Sequence, residues 1–209
     1  MTPSASRAVT LPSLDDATRL LVRLSAAVTA GTEADQRAAL AAAATVPPLW
    51  VEELLLQSYL FAGFPRTLNA MREWRRGHPA PVAPGAGGAP AEWRAQGEAT
   101  CAIVYGNVYE RLRENIRDLH AALDDWMITE GYGKVLSRPG LDLPRRELCI
   151  VAACAAAGQD RQLHSHLHGA LNAGVAPEAV TACLDALAGV VSGPQLQTAR
   201  MLWERVRGK

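Results

Sequence analysis

Glu147 and the alternating histidines His164, His166 and His168 are the side chains of this sequence best placed to do chemistry. They fall in one stretch, RRELCIVAACAAAGQDRQLHSHLHGALNAGV, residues 145–175. An imidazole titrates near a pH of about 6.5, so it can both give and take a proton at neutral pH, and a carboxylate beside it orients the ring. The acid heads an almost wholly apolar Ala/Leu/Val run, and Gly158 breaks that run before the histidines begin. Each residue also has a plain structural reading. Glu147 near a helix start complements the helix dipole, and His166 fits a hydrogen-bonded core position. His164 and His168 stand one turn apart, a spacing that could ligate a metal with a third donor or simply face water. In a simple antiparallel hairpin Glu147 lies about 18 Å and His166 about 10 Å from the turn, an offset that side chains, water or a neighbouring half or subunit must close.

The elements that would position these groups are helical. Apolar periodicity predicts helices near 14–30, 33–45, 48–62, 65–76, 96–104, 107–130, 144–157, 160–173, 177–190 and 194–206, with no alternating strand. Pro48, Pro144, Pro177 and Pro194 suit first-turn positions, where a missing N–H costs nothing. Gly31, Gly158 and Gly174 stand where a helix can end on a left-handed residue. The stretch GHPAPVAPGAGGAP, residues 77–90, can sustain no helix and reads as a linker.

Composition narrows the partners. The 209 residues are 49% hydrophobic but only 5% aromatic, so packing must rest on close helix–helix contact. Net charge is zero and no basic stripe is present, which argues against nucleic acid and anionic membrane. No run has transmembrane length or the pattern of a signal peptide, and a cytoplasmic location is expected. Cys101, Cys149, Cys154 and Cys183 show neither CxxC nor zinc spacing, and read as small buried hydrophobes in a reducing compartment. Cys149 and Cys154 sit roughly 140° apart around one helix and point different ways.

The linker separates two related halves. With a shift of 127, TRLLVRLSAAVTAG (18–31) lies over RRELCIVAACAAAG (145–158), pairing Arg19 with Arg146, Leu21 with Leu148 and Gly31 with Gly158. Leu20 then faces Glu147 and Ala39 faces His166, so the N-terminal copy lacks the ionisable pair. It keeps instead YLFAGFPRTLNAM (59–71), an aromatic–glycine–proline corner that the matching ALAGVVSGPQLQTA (186–199) lacks. A complete site would combine both halves.

REL at 146–148, QLHSHLHGALNAGV at 162–175, YLFAGFPRTLNAM at 59–71 and YGKVLSRPGLDLPRREL at 132–148 together resemble blocks of the carboxymuconolactone decarboxylase family, within the alkylhydroperoxidase D-like superfamily. The resemblance covers most of the chain outside the first dozen residues and the linker. It implies an all-α fold of two alkylhydroperoxidase D-like helical repeats forming a pseudo-dimer: a degenerate repeat at 1–76, a Pro/Gly-rich linker at 77–92 and the site-bearing repeat at 93–209. A family domain ordinarily holds all the blocks in one copy, whereas here each half keeps part of them. The resemblance further implies a homo-oligomer, a dimer or trimer of two-repeat chains, and apolar helices such as 48–62 exceed what one monomer is expected to bury. The peroxidase branch carries a CxxC pair just before the histidine. Here that region reads Gln159-Asp160-Arg161-Gln162, which disfavours thiol peroxidase chemistry.

The decarboxylase branch implies a small unsaturated lactone acid as substrate, from aromatic-compound catabolism, with no metal and no organic cofactor. His166 would be the acid–base group and Glu147 its orienter. Arg138 could clamp a substrate carboxylate with its planar fork, or only order the SRPG loop. His164 joins the binding set, and Tyr59, Phe61 and Phe64 could shape and dry the pocket or belong to the core. The alternative is a non-catalytic or differently specific small-molecule-binding oligomer on the same scaffold.

Overall fold

A computed structural model describes residues 10–82, 85 and 87–208. Parts of the expected N-terminal repeat (1–9) and linker (83, 84 and 86) lie outside the described residues. The architecture is all-α. Helices run as α1 (Asp16–Ala30), α2 (Glu33–Ala42), α3 (Pro48–Gln57), α4 (Tyr59–Gly77), α5 (Pro90–Tyr105), α6 (Tyr109–Leu119) and α7 (Ala121–Trp126). A π-helical segment, Met127–Leu136, leads to α8 (Leu143–Ala157), α9 (Asp160–Asn172), α10 (Pro177–Ala186) and α11 (Gly193–Arg207). Among the described residues extended pairing is limited to isolated bridges, Leu11 with Val175 and Ala188 with Val191.

The helix starts follow their punctuation. Pro48, Pro144, Pro177 and Pro194 all occupy first-turn positions. Asp15, Thr32, Asp142 and Ser192 cap their helices by accepting backbone N–H groups. The glycine stops divide. Gly158 and Gly174 are left-handed as expected, with φ of 66° and 96°. Gly31 is extended instead, with φ −70° and ψ 166°. Thr32 must enter α2 as an extended N-cap directly after it, so the chain passes straight from one helix into the next.

Two helices form the centre. α1 lies along α8, where the Ser25 hydroxyl donates to the Cys149 carbonyl at 2.7 Å and Arg145 reaches Thr18 and Asp15. Small alanines on both let the helices approach closely. Every α8 residue from Arg146 to Ala156 is buried. One core cluster lies on the N-terminal side, with Leu21, Leu24, Leu54, Leu55, Trp74 and Cys149. The larger cluster gathers Leu148, Val151, Cys154, Leu163, Leu167 and Trp203. Cys149 and Cys154 thus face opposite cores, as their spacing requires.

Several boundaries depart from the periodicity, among them the start of α5 at Pro90, inside the expected linker, and the end of α10 at Ala186. The expected 48–62 helix stops at Gln57, and α4 restarts at Tyr59 before kinking at Gly63 (φ 75°). α3 buries Val51, Leu54 and Leu55 within the chain itself, so its apolar face needs no second subunit. The expected 107–130 helix breaks at His120, whose φ of −170° is extended. It then continues past 130 as the π segment, which Gly131 and Gly133 had hidden because glycine disfavours helix. Glycine here serves contact. A Cβ at Gly133 would fall 1.9 Å from the Trp93 carbonyl oxygen, and one at Gly97 would fall 2.0 Å from that of Ile128. α5 and the π segment therefore touch backbone to backbone.

Candidate functional site

The carboxylate and the imidazole meet. Glu147 Oε2 and His166 Nδ1 lie 2.8 Å apart, with both residues buried. The expected axial offset is closed by a residue the sequence reading passed over. Gly169 lies on the α9 face opposite Glu147, where a Cβ would come within 2.7 Å of Oε2 and of Val104 Cγ1. The carboxylate rests on the space a side chain would fill and reaches one turn along α9 to His166. A glycine three residues after a histidine inside a helix was the signal.

Glu147 is not a dipole partner. α8 begins at Leu143, its N-cap Asp142 accepts from the Arg145 N–H, and no acid occupies its first turn. The second oxygen of Glu147, Oε1, is buried without a hydrogen-bond partner. A buried carboxylate oxygen left in that state is costly and uncommon away from functional positions.

His166 opens onto a cavity of about 450 Å³. Glu147 lies behind the ring and outside the lining, so the edge not bonded to the acid is the one available to a ligand. Both halves of the chain build the walls. α4 supplies Leu60 and Phe61, α5 Tyr105, α6 and α7 the apolar Leu112, Ile116, Leu123 and Trp126, and the π segment Met127, Glu130, Tyr132 and Leu136. α9 supplies Arg161, Gln162, Ser165 and His166. Phe61 and Tyr105 each stand edge-on to the imidazole with centroids 6.3 Å away. Burial pushes the Tyr105 hydroxyl up to about 12 and that of Tyr132 well above its ordinary value, so both remain neutral O–H groups at neutral pH.

The other expected binding residues lie elsewhere. At the Gly63 kink the backbone turns Phe61 inward and leaves Phe64 62% exposed, stacked on Tyr59 at 4.9 Å. Tyr59 donates to Glu130 Oε1 at 3.0 Å, and burial together with that acid raises its pKa. Tyr59, Phe64 and Arg138 line a second cavity of about 350 Å³, and Glu130 stands in the wall shared with the first. Arg138 does not reach the His166 cavity, because Glu53 holds its guanidinium through Nε and Nη2. His164 is half-buried beside His168, with ring centroids 5.0 Å apart, and is absent from the His166 cavity. Among the described residues no three His, Cys, Asp or Glu side chains gather as metal donors.

A buried polar hub went unread. Arg146, fully buried, donates to Glu53 Oε2 (2.8 Å), Gln57 Oε1 (3.1 Å) and the Leu141 carbonyl (3.0 Å). Glu53 is also fully buried, and Gln57 returns a bond to the Arg146 carbonyl. Desolvation lowers the Arg146 pKa while Glu53 opposes it. The sequence hinted at this only through adjacent acids on the apolar helix 48–57. The four thiols are buried, and burial pushes Cys101, Cys149 and Cys154 up to about 12 and Cys183 higher still. None is poised as a thiolate nucleophile.

A match to a known family falls on the same region. Residues 122–205 match the sequence model of the carboxymuconolactone decarboxylase family. The span includes Glu147, His166 and Gly169 but neither Phe61 nor Tyr105. A protein of Schizosaccharomyces pombe named peroxisomal protein 2 is 32% identical over 134 residues, covering 62% of this chain and 63% of that protein. The 4-carboxymuconolactone decarboxylase of Acinetobacter baylyi is 34% identical over 65 residues, 31% of this chain and 48% of the enzyme. The chain spans less than two thirds of the length of either relative.

Proposed function

We propose that the chain, whose residues 122–205 match the sequence model of the carboxymuconolactone decarboxylase family, is a decarboxylase of a small unsaturated lactone acid in the breakdown of aromatic compounds. The observation that carries the reading is the buried Glu147–His166 pair, 2.8 Å apart, at the wall of an apolar cavity. The substrate carboxylate leaves as CO₂ when its carbon–carbon bond breaks. The electron pair moves through the ring double bond onto the lactone carbonyl, giving a dienolate. Protonated His166 delivers the proton from Nε2 to carbon, and solvent returns it after product leaves. Glu147 holds Nδ1–H, fixes the ring and stabilises its charged form. The Tyr105 hydroxyl, neutral and on the same cavity, donates to the developing enolate oxygen. Residues of this chain supply every group in the sequence, with no metal or organic cofactor.

The halves are read as a diverged tandem pair, supported by α1 lying on α8 with Arg145 bonded to Thr18, positions equivalent under the shift of 127. The chain assembles as a dimer or trimer, supported by Phe64 and Leu68, exposed one turn apart on α4. Sedimentation giving a monomer at micromolar concentration would end that proposal. Four free buried thiols favour a reducing compartment such as the cytoplasm, and no described helix is long and apolar enough to cross a membrane.

The experiment is CO₂ release from unsaturated lactone monocarboxylates and from 4-carboxymuconolactone by wild type, H166A and E147A. Loss of general acid–base catalysis should lower kcat about 10²- to 10⁴-fold in H166A. Wild type and both variants turning over equally would reject the roles, and no turnover of any lactone acid would favour a binding protein on this scaffold. The engagement of Arg138 by Glu53 favours that second reading, since it removes the expected carboxylate clamp from the site.

A further inference from the structure

The His166 cavity is poor in cations for a site expected to hold an acid. Among its described lining residues the basic side chains are Arg161 and His166, and His166 is bound to Glu147. The neighbouring bases are already committed. Asp124 holds Arg113 and Arg117. Lys134 lies 3.3 Å from Glu130 and 5.3 Å from the centroid of the Trp93 ring. Glu53 holds Arg138 in the other cavity. Arg161 is exposed, and its guanidinium enters no ion pair among the described residues. It stands one helical turn from Ser165 on the same wall of α9.

The inner end is the opposite. Glu147 lies behind His166 with Oε1 unpartnered, and Glu130, on the lining, is half-exposed and held by Tyr59 and Lys134. A second substrate carboxylate would leave water for walls whose nearby bases, His166 and Lys134, are each already set against an acid, and burying a charge with no free partner is strongly unfavourable. The remaining walls are chiefly apolar. At the outer side Leu123 and Trp126 are half or more exposed while still lining the cavity.

We infer that this cavity selects a ring compound carrying no more than one carboxylate, set against Arg161, with an apolar substituent lying along Leu123 and Trp126. The inference rests on the proposed lactone-acid reading for the identity of the ring, but its selectivity is a property of binding alone. A dicarboxylate lactone such as 4-carboxymuconolactone is therefore disfavoured, and a monoacid or its neutral analogue is favoured.

Isothermal titration calorimetry separates the cases with three unreactive probes of similar size: γ-phenyl-γ-butyrolactone (neutral), 4-phenylbutyrate (one carboxylate) and phenylsuccinate (two). Wild type should bind the first two with comparable Kd and phenylsuccinate about tenfold or more weakly. R161Q, at an exposed position, should weaken 4-phenylbutyrate about three- to fivefold and leave the neutral lactone within about twofold. W126A should weaken both. Phenylsuccinate binding as tightly as 4-phenylbutyrate, R161Q weakening both probes alike, or no probe binding to wild type would each overturn the inference. Turnover is not measured here, so a protein that binds in this order yet releases no CO₂ loses the decarboxylase reading and keeps the selectivity.

Discussion

Glu53 and Glu147 are both buried carboxylates, yet their surroundings differ in kind. Glu53 places both oxygens on guanidinium groups, those of Arg138 and Arg146, and Gln57 and backbone carbonyls take up further donors of Arg146. Glu147, the residue next to Arg146 on the same helix, spends one oxygen on a titratable ring and leaves the other without a donor. The first arrangement is closed: it ties α3 to α8 and to the Arg138 loop. The second is open, with one acid behind one imidazole beside a cavity. Completeness of hydrogen bonding, more than burial, distinguishes the acid that holds the fold from the acid proposed for proton transfer.

The comparison breaks most visibly if the hub is cut. R146A leaves the buried Glu53 with Arg138 as its remaining guanidinium partner and removes the donor to Gln57 and the Leu141 carbonyl, so urea unfolding should register a loss approaching about 3 kcal/mol. A loss below about 1 kcal/mol would show that the hub is not closed in solution. G169A is next. Its methyl would meet Glu147 Oε2 and Val104 at 2.7 Å, so overpacking should cost about 1–3 kcal/mol. It should also lower activity nearly as far as E147A does, because the acid is pushed from the ring. Unchanged turnover in G169A would mean that the contact with His166 is dispensable.

E147Q sharpens the contrast from the other side. Removing a desolvated charge that has an unpartnered oxygen should shift stability by less than about 1 kcal/mol, while E53Q should cost several times more. Equal losses in the two variants would erase the distinction drawn here. The smallest effect concerns acid pH. The Arg113 guanidinium, with Arg117, holds the Asp124 carboxyl below its ordinary value, against the effect of burial. Its folded pKa is depressed, so its contribution to stability is complete above the unfolded carboxylate pKa of about 3.9 and is lost as pH falls through the lower folded value. Wild type and D124N should therefore differ in stability at pH 6 and converge toward pH 2, as followed by thermal melts. A gap that is constant over that range would count against the pair.

Much of the fold could be read because helix punctuation is local. Pro144 and Gly158 bracket α8, and the alternation of Ala, Leu and Val along it indicates burial without reference to any partner. The π segment could not be read the same way. Gly131 and Gly133 look like helix breakers until Trp93, distant in sequence, is seen pressing its carbonyl against Gly133. At the site, the types and spacing of Glu147 and His166 pointed to a proton-transfer pair, but their contact depended on the space left at Gly169. Arg138 had the right chemistry for a carboxylate and the wrong neighbour, since Glu53 lies 85 residues earlier in the chain and only folding brings it near.

By itself the sequence determined that the chain is all-helical, that its halves differ in ionisable content, and that one acid and one imidazole stand out from the apolar helices, since periodicity, capping and residue type act within a few residues. Tertiary structure alone decided which acid is neutralised and which is left open, and which aromatic faces the ring. It also decided that Arg161, and not Arg138, is the guanidinium at the cavity. Those outcomes depend on distances between segments far apart in the chain, where a single missing Cβ or one competing carboxylate determines which groups meet.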